Sequence, residues 1–400
     1  MPLARKITLP LLVFYGLGTI LGAGIYVLVG KVAGSAGMLA PLAFFVAAIV
    51  AGITALSYCQ LVVLYPKSSG EAHYVSAAFG ASWLTRVVGL LVVFTGVVSC
   101  ATLANGFVGY LQSFVAIPSL VAIISVVVVM TLLALWGIAE SLWAAAVITL
   151  VEIGGLALVI YYGGSHIESA QIEIQALVMP GSMSEVAMVL SGAFLAFYAF
   201  IGFEDMVNVV EEVKSPKQNM PRAIIIALLV SSTLYIIVAV IAVLGLPLET
   251  LVQSNAPLRT LVEVHSTELG TWISVISLFA IVNGVLTQII MASRVLYGLS
   301  QQGHLPKYFG QVSERTRTPW LATLVISGLV LVFALALPLV TLASLTSFIV
   351  LSVFGLVNLS LVKVQRSESH QGDPFSTPAF PKLGALLCVC LLAFQVLSLS

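Results

Sequence analysis

The sequence predicts an all-α integral membrane protein, in which about eleven transmembrane helices form a single domain over residues 1–400. The first observation is composition: 60% of the 400 residues are hydrophobic and 8% are charged, whereas soluble domains carry about 25% charged residues. So few charges cannot cover a water-facing surface. The second observation is a series of apolar runs of about 20 residues, the length that crosses a bilayer as a helix. The third is that no run shows the alternation of a membrane β-barrel strand.

The apolar runs follow one another along the whole chain, separated by more polar segments. Each run is long enough to cross a lipid bilayer, so we expect the protein to be embedded in one. The runs cover approximately residues 8–30, 38–64, 83–112, 119–136, 143–163, 186–210, 222–246, 270–297, 320–339, 341–362 and 383–400.

The basic residues between the runs predict the orientation of the chain. With the N-terminus in the cytoplasm, 14 of the 16 Lys and Arg residues fall on the cytoplasmic side, and only Lys31 and Arg259 fall outside. The positive-inside rule therefore predicts a cytoplasmic N-terminus in the plasma membrane. The formal net charge is zero, so no basic footprint for nucleic acid is present.

The first run contains the stretch GLGTILGAGIYVLVG, with five glycines from Gly16 to Gly30. An interior glycine weakens a helix by about 0.5–1 kcal/mol relative to alanine. Three interpretations compete: a cleaved signal peptide, a close-packing face built on the Gly18/Gly22 pair, and a helix that is interrupted inside the membrane. The distribution of basic residues favours a first run that is retained in the mature protein, and so disfavours a cleaved signal peptide.

The sixth run contains a second glycine-interrupted stretch, FLAFYAFIGFED, in which Gly202 lies 180 positions after Gly22. The sixth run comes five runs after the first, so the two runs cross the membrane in opposite directions. Matching interruptions in oppositely inserted halves are typical of inverted-repeat transporters. The sequence therefore predicts a first five-helix repeat at 8–163, a second at 186–362, and an additional helix at 383–400.

An interrupted helix exposes peptide groups that can bind a ligand. Free amides at the positive end of a half-helix suit a carboxylate, and freed carbonyls suit an ammonium group or a cation. Such backbone survives in the membrane only where it is buried in protein or lines a cavity. This pattern favours recognition of a free α-amino acid, although close packing of glycines remains an alternative.

Glu152 lies about ten residues into the fifth run, close to the expected middle of the bilayer. Ionisable residues at that depth are costly, and this makes them candidates for function. A carboxylate there can take up a proton or coordinate a cation. The structural alternative is a neutral glutamic acid that is hydrogen-bonded to a neighbouring helix.

The chain resembles the amino acid–polyamine–organocation transporters, which have the LeuT-type fold of two inverted repeats with discontinuous helices 1 and 6. Similar stretches are ILGAGIYVLVG in helix 1, FYAFIGFEDMVNVVEEVKSPKQNMPRAI in helix 6 and its following loop, SRVLYGLSQQGHLPKYFGQV with RTRTPW after helix 8, and YPKSSGEAHYVSAAFG between helices 2 and 3. The chain departs from the family in the last stretch, where Ser69, Gly70 and Ala72 replace paired glycines and a tyrosine. It also departs in having eleven runs where many members have twelve.

The resemblance implies a substrate site at the two interruptions. The carboxylate would lie on the backbone around Ile20, Gly22, Ala23 and Gly24. The amine would face carbonyls around Ala199, Phe200 and Ile201, beside Gly202. The aromatic residues Tyr198, Phe200 and Phe203 would gate or line the pocket, although core packing is the alternative for Tyr198 and Phe203.

The resemblance also bears on coupling and gating. Some members carry a lysine in helix 5, thirteen residues after the position of Ala139, and that lysine replaces a sodium ion. This chain has Glu152 there, which favours proton coupling. Helix 8 offers Asn283, Thr287 and Gln288, of which only Thr287 suits a sodium site, so sodium is the weaker alternative. Glu204 and Asp205 are candidate gating residues, with a structural hydrogen bond as the alternative.

The sequence thus predicts a secondary amino acid carrier that works by alternating access, with a proton as the coupling ion and no other cofactor. The five histidines show no metal-ligand spacing, so no metal is expected. The sequence shows no pair of a nucleophile and a base, so an enzyme is not indicated. An amino acid or polyamine exchanger is the nearest alternative, and an amino-acid sensor on a transporter scaffold is the alternative of a different class. The oligomeric state and the identity of the amino acid stay open.

Overall fold

A computed structural model describes residues 5–67, 70–137, 142–165, 167, 175–367 and 379–399. Within these ranges the chain is almost entirely helical, as the composition predicts, and it contains no β-sheet. An isolated parallel bridge pairs Ile7 with Val213. The amide of Ile7 donates to the carbonyl of Glu212 at 3.0 Å, and the amide of Lys214 donates to the carbonyl of Ile7 at 2.9 Å. This bridge ties the N-terminal segment to the end of the sixth run.

Sixteen α-helices account for most of the described chain. Short 3₁₀ segments lie at Gly37–Leu39, Phe197–Phe200, Glu204–Glu212 and Lys307–Gly310. The α-helices are α1 (Leu9–Leu21), α2 (Ala23–Ala36), α3 (Ala40–Leu64), α4 (Gly70–Phe79), α5 (Ser82–Leu111), α6 (Ser119–Trp136), α7 (Leu142–Gly164), α8 (Gln175–Val178), α9 (Met183–Ala196), α10 (Pro216–Gly245), α11 (Leu248–Gln253), α12 (Pro257–Glu263), α13 (Thr267–Gln301), α14 (Trp320–Ala336), α15 (Leu339–Ser367) and α16 (Ala379–Leu399).

Nine stretches of the described chain are helices long and apolar enough to cross a membrane. One of them, Gly24–Leu64, is 41 residues long, and it contains α2 and α3 with a bend at Gly37 (φ 60°) between them. Two shorter apolar helices, Leu9–Leu21 and Trp320–Ala336, complete the set. Each of the eleven apolar runs of the sequence coincides with one or two of these helices.

Small residues set the distances between the helices in the core. Cβ atoms added at Gly96 and Gly192 would lie 2.9 Å and 2.7 Å from the side chains of Ala292 and Ala36. The backbone of α5 therefore lies close to α13, and that of α9 close to α2. Close approach of this kind supplies the packing that holds helices together in lipid, where the hydrophobic effect does not.

Candidate functional site

The first membrane-spanning segment is interrupted where its glycines predict. The helix α1 ends at Leu21, and Gly22 leaves the helical conformation with a ψ of −163° before α2 begins at Ala23. The carbonyl of Ile20 lies at this interrupted end of α1. It accepts a hydrogen bond from the hydroxyl of Tyr235 in α10. A side chain from a neighbouring helix thus stabilises the open end of α1.

The second interruption follows α9. The 3₁₀ segment Phe197–Phe200 leads to Ile201, which is extended with a ψ of 134°, and then to Gly202 with a φ of 129°. That φ is accessible to glycine but strained for other residues. The amide of Gly202 donates to the Glu204 carboxylate at 2.8 Å. Glu204, one of the predicted gating residues, therefore forms a local hydrogen bond at the second interruption.

The two interruptions lie against each other in space. Gly202 packs directly onto the carbonyl of Thr19, which leaves no room for a side chain. A Cβ atom added at Gly24 would lie 2.9 Å from the Cα atom of Ala199. Gly24 and Gly202 therefore serve close packing at the interruptions. Of the predicted Gly18/Gly22 packing pair, Gly18 packs on Thr149 of α7, whereas a Cβ atom added at Gly22 would meet only atoms of its own helix within 4 Å.

A cavity of about 60 Å³ lies at this meeting point. Its walls include both interruptions and the polar faces of α5, α7 and α13. The predicted site residues that line it are Ile20, Gly22, Gly24, Tyr198, Ala199, Ile201 and Asp205. Polar residues that complete its walls are Thr19, Ser99, Thr149, Asn283, Thr287 and Gln288.

Other predicted site residues lie outside the walls of this cavity. The ring of Phe200 is buried and packs against Tyr235, with centroids 5.3 Å apart. The ring of Phe203 packs against Tyr58 and Phe354, with centroids 5.4 and 5.2 Å apart. In this conformation both rings belong to the core beside the interruptions rather than to the lining. Helical spacing alone did not reveal this orientation.

Ser99 was missing from the sequence interpretation. The hydroxyls of Ser99 and Tyr198 lie 3.1 Å apart, and the Tyr198 hydroxyl also reaches the Ser99 carbonyl at 3.1 Å. These contacts hold Tyr198 against the cavity wall. No signal in the sequence identifies Ser99, because its role depends on how α5 packs against the second interruption.

Glu152 in α7 is buried, with 1% of its surface exposed, and it does not line the cavity. Its carbonyl accepts a hydrogen bond from the Tyr26 hydroxyl at 2.9 Å. Tyr26 belongs to α2, so this hydrogen bond joins α7 to the helix that begins at the first interruption.

A larger cavity of about 340 Å³ lies on the side of the membrane that holds the N-terminus. It shares the residues Tyr15, Ile201, Asp205 and Gln288 with the smaller cavity, so the two are adjacent. We call it the vestibule. Its lining holds four carboxylates and, among the described residues, one basic side chain: Glu71, Glu204, Asp205, Glu212 and Arg294.

Glu71 is the most buried of these carboxylates, with 6% of its surface exposed. It lies in α4, outside the membrane-spanning segments. Its carboxylate accepts a hydrogen bond from the Tyr58 hydroxyl at 3.0 Å. Burial raises the pKa of Glu71, and its hydrogen bonds offset only part of this effect.

The opposite side of the small cavity is covered by α11 and α12. The ammonium group of Lys31 donates to the carbonyls of Val252 and Ser254 at 2.9 and 3.4 Å. Gly30 packs on the carbonyl of Leu251, and Gly109 packs on that of Asn255. These contacts, which we call the outer seal, hold α11 and the segment after it against α2 and α5, whereas the vestibule extends the cavity on the other side.

Within the described ranges, no group of three or more His, Cys, Asp and Glu residues is arranged to hold a metal ion. Ser69 and Ala139, as well as two of the five histidines, His166 and His370, lie outside the described residues.

Known proteins resemble this chain over almost all of its length. The family profile described as amino acid permease matches residues 7–399. The chain is 26% identical to the vacuolar cationic amino acid transporter 4 of Arabidopsis thaliana over 94% of this chain and 65% of that protein. It is 25% identical to a branched-chain amino acid permease of Bacillus subtilis over 97% of this chain and 87% of that protein. It is 30% identical to an uncharacterized transporter of Mycobacterium tuberculosis over 97% of this chain and 86% of that protein.

The chain spans 63–65% of the length of three plant relatives. The family and these relatives are transporters rather than enzymes. The resemblance that the helix 1 and helix 6 stretches indicated is thereby confirmed.

Proposed function

We propose, on the premise that this chain belongs to the amino acid permease family, that it is a secondary carrier that moves amino acids across a membrane by alternating access. The observation that carries this proposal is the cavity at the meeting point of two interrupted helices. The first amides of α2 would bind the substrate carboxylate. Carbonyls of the second interruption, near Ala199 and Ile201, would bind its amine.

The asymmetry of the two sides supports alternating access. The vestibule adjoins the cavity on one side, and the outer seal closes it on the other. This arrangement fits an inward-facing state of a LeuT-type carrier with repeats at 8–163 and 186–362. In the outward-facing state, α11 and α12 would have to move away from Lys31, and the vestibule would have to close around Asp205.

We assign energy coupling to a proton at Glu152. Glu152 is buried in α7, and its carbonyl is hydrogen-bonded to Tyr26 of α2, the helix that begins at the first interruption. Protonation there removes a buried charge beside the substrate-binding backbone. Sodium is the weaker candidate, because the cavity wall offers few threonine hydroxyl oxygens that could bind it together. These belong to Thr19, Thr149 and Thr287.

Asp205 favours a substrate with a positively charged side chain. It is the one ionisable side chain with a carboxylate among the described residues that line the small cavity, and no Lys or Arg lines that cavity. A cationic side chain would extend from the interruptions toward the vestibule. A polyamine fits less well because it has no carboxylate for the amides of α2.

The proposed location is the plasma membrane, with the N-terminus in the cytoplasm. This orientation places the vestibule on the cytoplasmic side, and it agrees with the distribution of Lys and Arg along the sequence. The names of two plant relatives, one vacuolar and one mitochondrial, make an internal membrane the alternative.

The test is transport by the purified chain in liposomes, with radiolabelled arginine, leucine and putrescine. We expect arginine to accumulate when the outside is made acidic, and an ionophore that collapses the proton gradient to abolish accumulation. Uptake only into liposomes preloaded with amino acid would identify an exchanger. Binding measured by thermal shift without any flux would identify a sensor and contradict the proposal.

A further inference from the structure

A third cavity, of about 400 Å³, lies away from the substrate path between α5, α13 and α14. We call it the lateral crevice. Every residue that lines it within the described chain is apolar or aromatic. The residues that define it include Leu90, Phe94 and Val97 of α5, Leu296 of α13, and Ile326 and Leu329 of α14.

The lateral crevice opens toward the lipid. Leu90 and Leu329 line it and are each 39% exposed. Along α5 its lining residues run from Val87 to Val97, a distance of about 15 Å on a helix. The crevice therefore extends along α5 as an apolar groove, which suits part of an acyl chain.

Exposed basic residues lie at one end of the lateral crevice, on the same side of the membrane as the N-terminus. Arg86 precedes Val87 and shares a helix ridge with Leu90 and Phe94 at i, i+4 spacing. Lys307 lies two residues before Phe309, which also lines the crevice. Both basic side chains are exposed. An ion pair joins Arg259 to Glu263, whereas neither Arg86 nor Lys307 forms an ion pair with a carboxylate of the described residues.

Aromatic residues mark the same level as a membrane interface. Trp83, Tyr308 and Trp320 are all exposed, and they stand at or near the beginning of α5, in the segment after α13, and at the beginning of α14. Exposed Trp and Tyr at helix ends are typical of the headgroup region. Arg86 and Lys307 thus lie at headgroup depth, directly above the apolar groove.

We infer that the lateral crevice binds one anionic phospholipid, with an acyl chain between α5 and α14 and its phosphate between Arg86 and Lys307. Burial of the chain provides affinity for any phospholipid. The two basic side chains provide the preference for a negative headgroup, at about fivefold in affinity for each. The opposite face of α5 contributes Gly89 and Val92 to the vestibule, so a bound lipid would contact the same helix that lines the substrate path.

The experiment compares two lipids with identical chains, phosphatidylglycerol and phosphatidylcholine, on the purified full chain in a neutral detergent. The thermal unfolding midpoint is titrated with each lipid, and native mass spectrometry counts the bound molecules. We expect one tightly retained lipid and a preference of about 25-fold for phosphatidylglycerol. The double variant Arg86→Gln/Lys307→Gln should bind both lipids equally. A matched pair on exposed residues of the same side, Lys214→Gln/Lys217→Gln, should keep the preference.

Filling the crevice tests the acyl-chain position. Leu329→Trp, at a partly exposed position of the lining, should weaken binding of both lipids while Arg86 and Lys307 remain in place. The inference is overturned if the Arg86/Lys307 double variant keeps the preference for phosphatidylglycerol. It is equally overturned if no lipid is retained by the unmodified chain. Neither result depends on whether the chain transports amino acids.

Discussion

Gly202 lies directly on the carbonyl of Thr19, so the two interrupted helices of this protein touch at their interruptions. The φ of 129° at Gly202 places its missing side chain toward that oxygen. The contact joins the segment proposed to bind a carboxylate through amides, at Gly22 and Gly24, to the segment proposed to bind an amine through carbonyls, at Ala199 and Ile201. Under the proposed function, a substrate with both a carboxylate and an amine would be held by these two neighbouring backbone segments.

Gly202→Ala should abolish transport and destabilise the protein. The added methyl group meets both a strained φ, which costs about 1–3 kcal/mol, and the carbonyl of Thr19. The measurement is the thermal unfolding midpoint in detergent together with amino acid uptake. Gly328→Ala is the matched control, because Gly328 lies in α14 with nothing within 4 Å of an added Cβ atom, and it should be neutral. Normal uptake by Gly202→Ala would contradict the packing described here.

Glu152→Gln should remove the response of transport to a proton gradient. The amide keeps the size of the side chain but cannot take up and release a proton, so counterflow at equal pH should persist while accumulation fails. Uptake into liposomes with and without an inward proton gradient measures this. Glu249→Gln, an exposed carboxylate in α11, should leave coupling unchanged. Gradient-driven accumulation by Glu152→Gln would exclude Glu152 from the mechanism.

Asp205→Asn should reduce binding of arginine much more than binding of leucine. Removing one partner of a buried charge pair costs about 2–5 kcal/mol, or at least about 30-fold in affinity. Dissociation constants for both amino acids, measured on the purified protein, provide the comparison. Glu212→Gln, which lines the vestibule but not the small cavity, should affect both amino acids little. Equal losses for arginine and leucine would argue against a contact between Asp205 and the substrate side chain.

Lys31→Met should open the outer seal more often. Methionine fills the space of the lysine stem but loses hydrogen bonds from a charged donor, which are worth about 1.5–3 kcal/mol each. A cysteine at Asn283, in the cavity wall, should then react faster with an impermeant maleimide added on the outer side. Arg259→Gln breaks an ion pair with Glu263 in the same region but leaves the hydrogen bonds of Lys31 in place, so it should change the rate little. An unchanged rate in Lys31→Met would show that the glycine contacts alone keep the seal closed.

Glu71→Gln should alter the pH dependence of stability. Because burial raises the pKa of Glu71, the folded protein holds a proton there that the unfolded chain releases near the ordinary glutamate pKa of about 4.3. Stability from this residue is therefore greatest below that pH and falls as the pH rises through the raised pKa. The glutamine variant keeps an acceptor for Tyr58 but lacks this fall.

The measurement for Glu71 is the difference in thermal midpoint between the variant and the unmodified protein from about pH 4 to pH 8. This difference should increase in favour of the variant as the pH rises. Glu314→Gln changes an exposed carboxylate, and its difference should stay flat. A flat difference for Glu71→Gln would show that Glu71 ionises in the folded protein as it does in water.

The sequence by itself determined the fold class, the number and order of the apolar runs, and the two places where helices are interrupted. Hydropathy and glycine act locally: a run of about 20 apolar residues needs a bilayer, and Gly22 and Gly202 weaken the helix at their own positions. These features can be read without knowing which helices are neighbours.

Only the tertiary structure decided which side chains face the cavity. It turned Phe200 and Phe203 into the core, brought Ser99 onto Tyr198, and placed Glu152 behind α2 rather than in the wall. It also placed Asp205 between the cavity and the vestibule, and Lys31 on the last carbonyls of α11. The physical reason is that a helix such as α5 carries too few polar residues for its sequence to show which side faces the cavity. The rotation of such a helix is set by close packing of small residues against partners far along the chain.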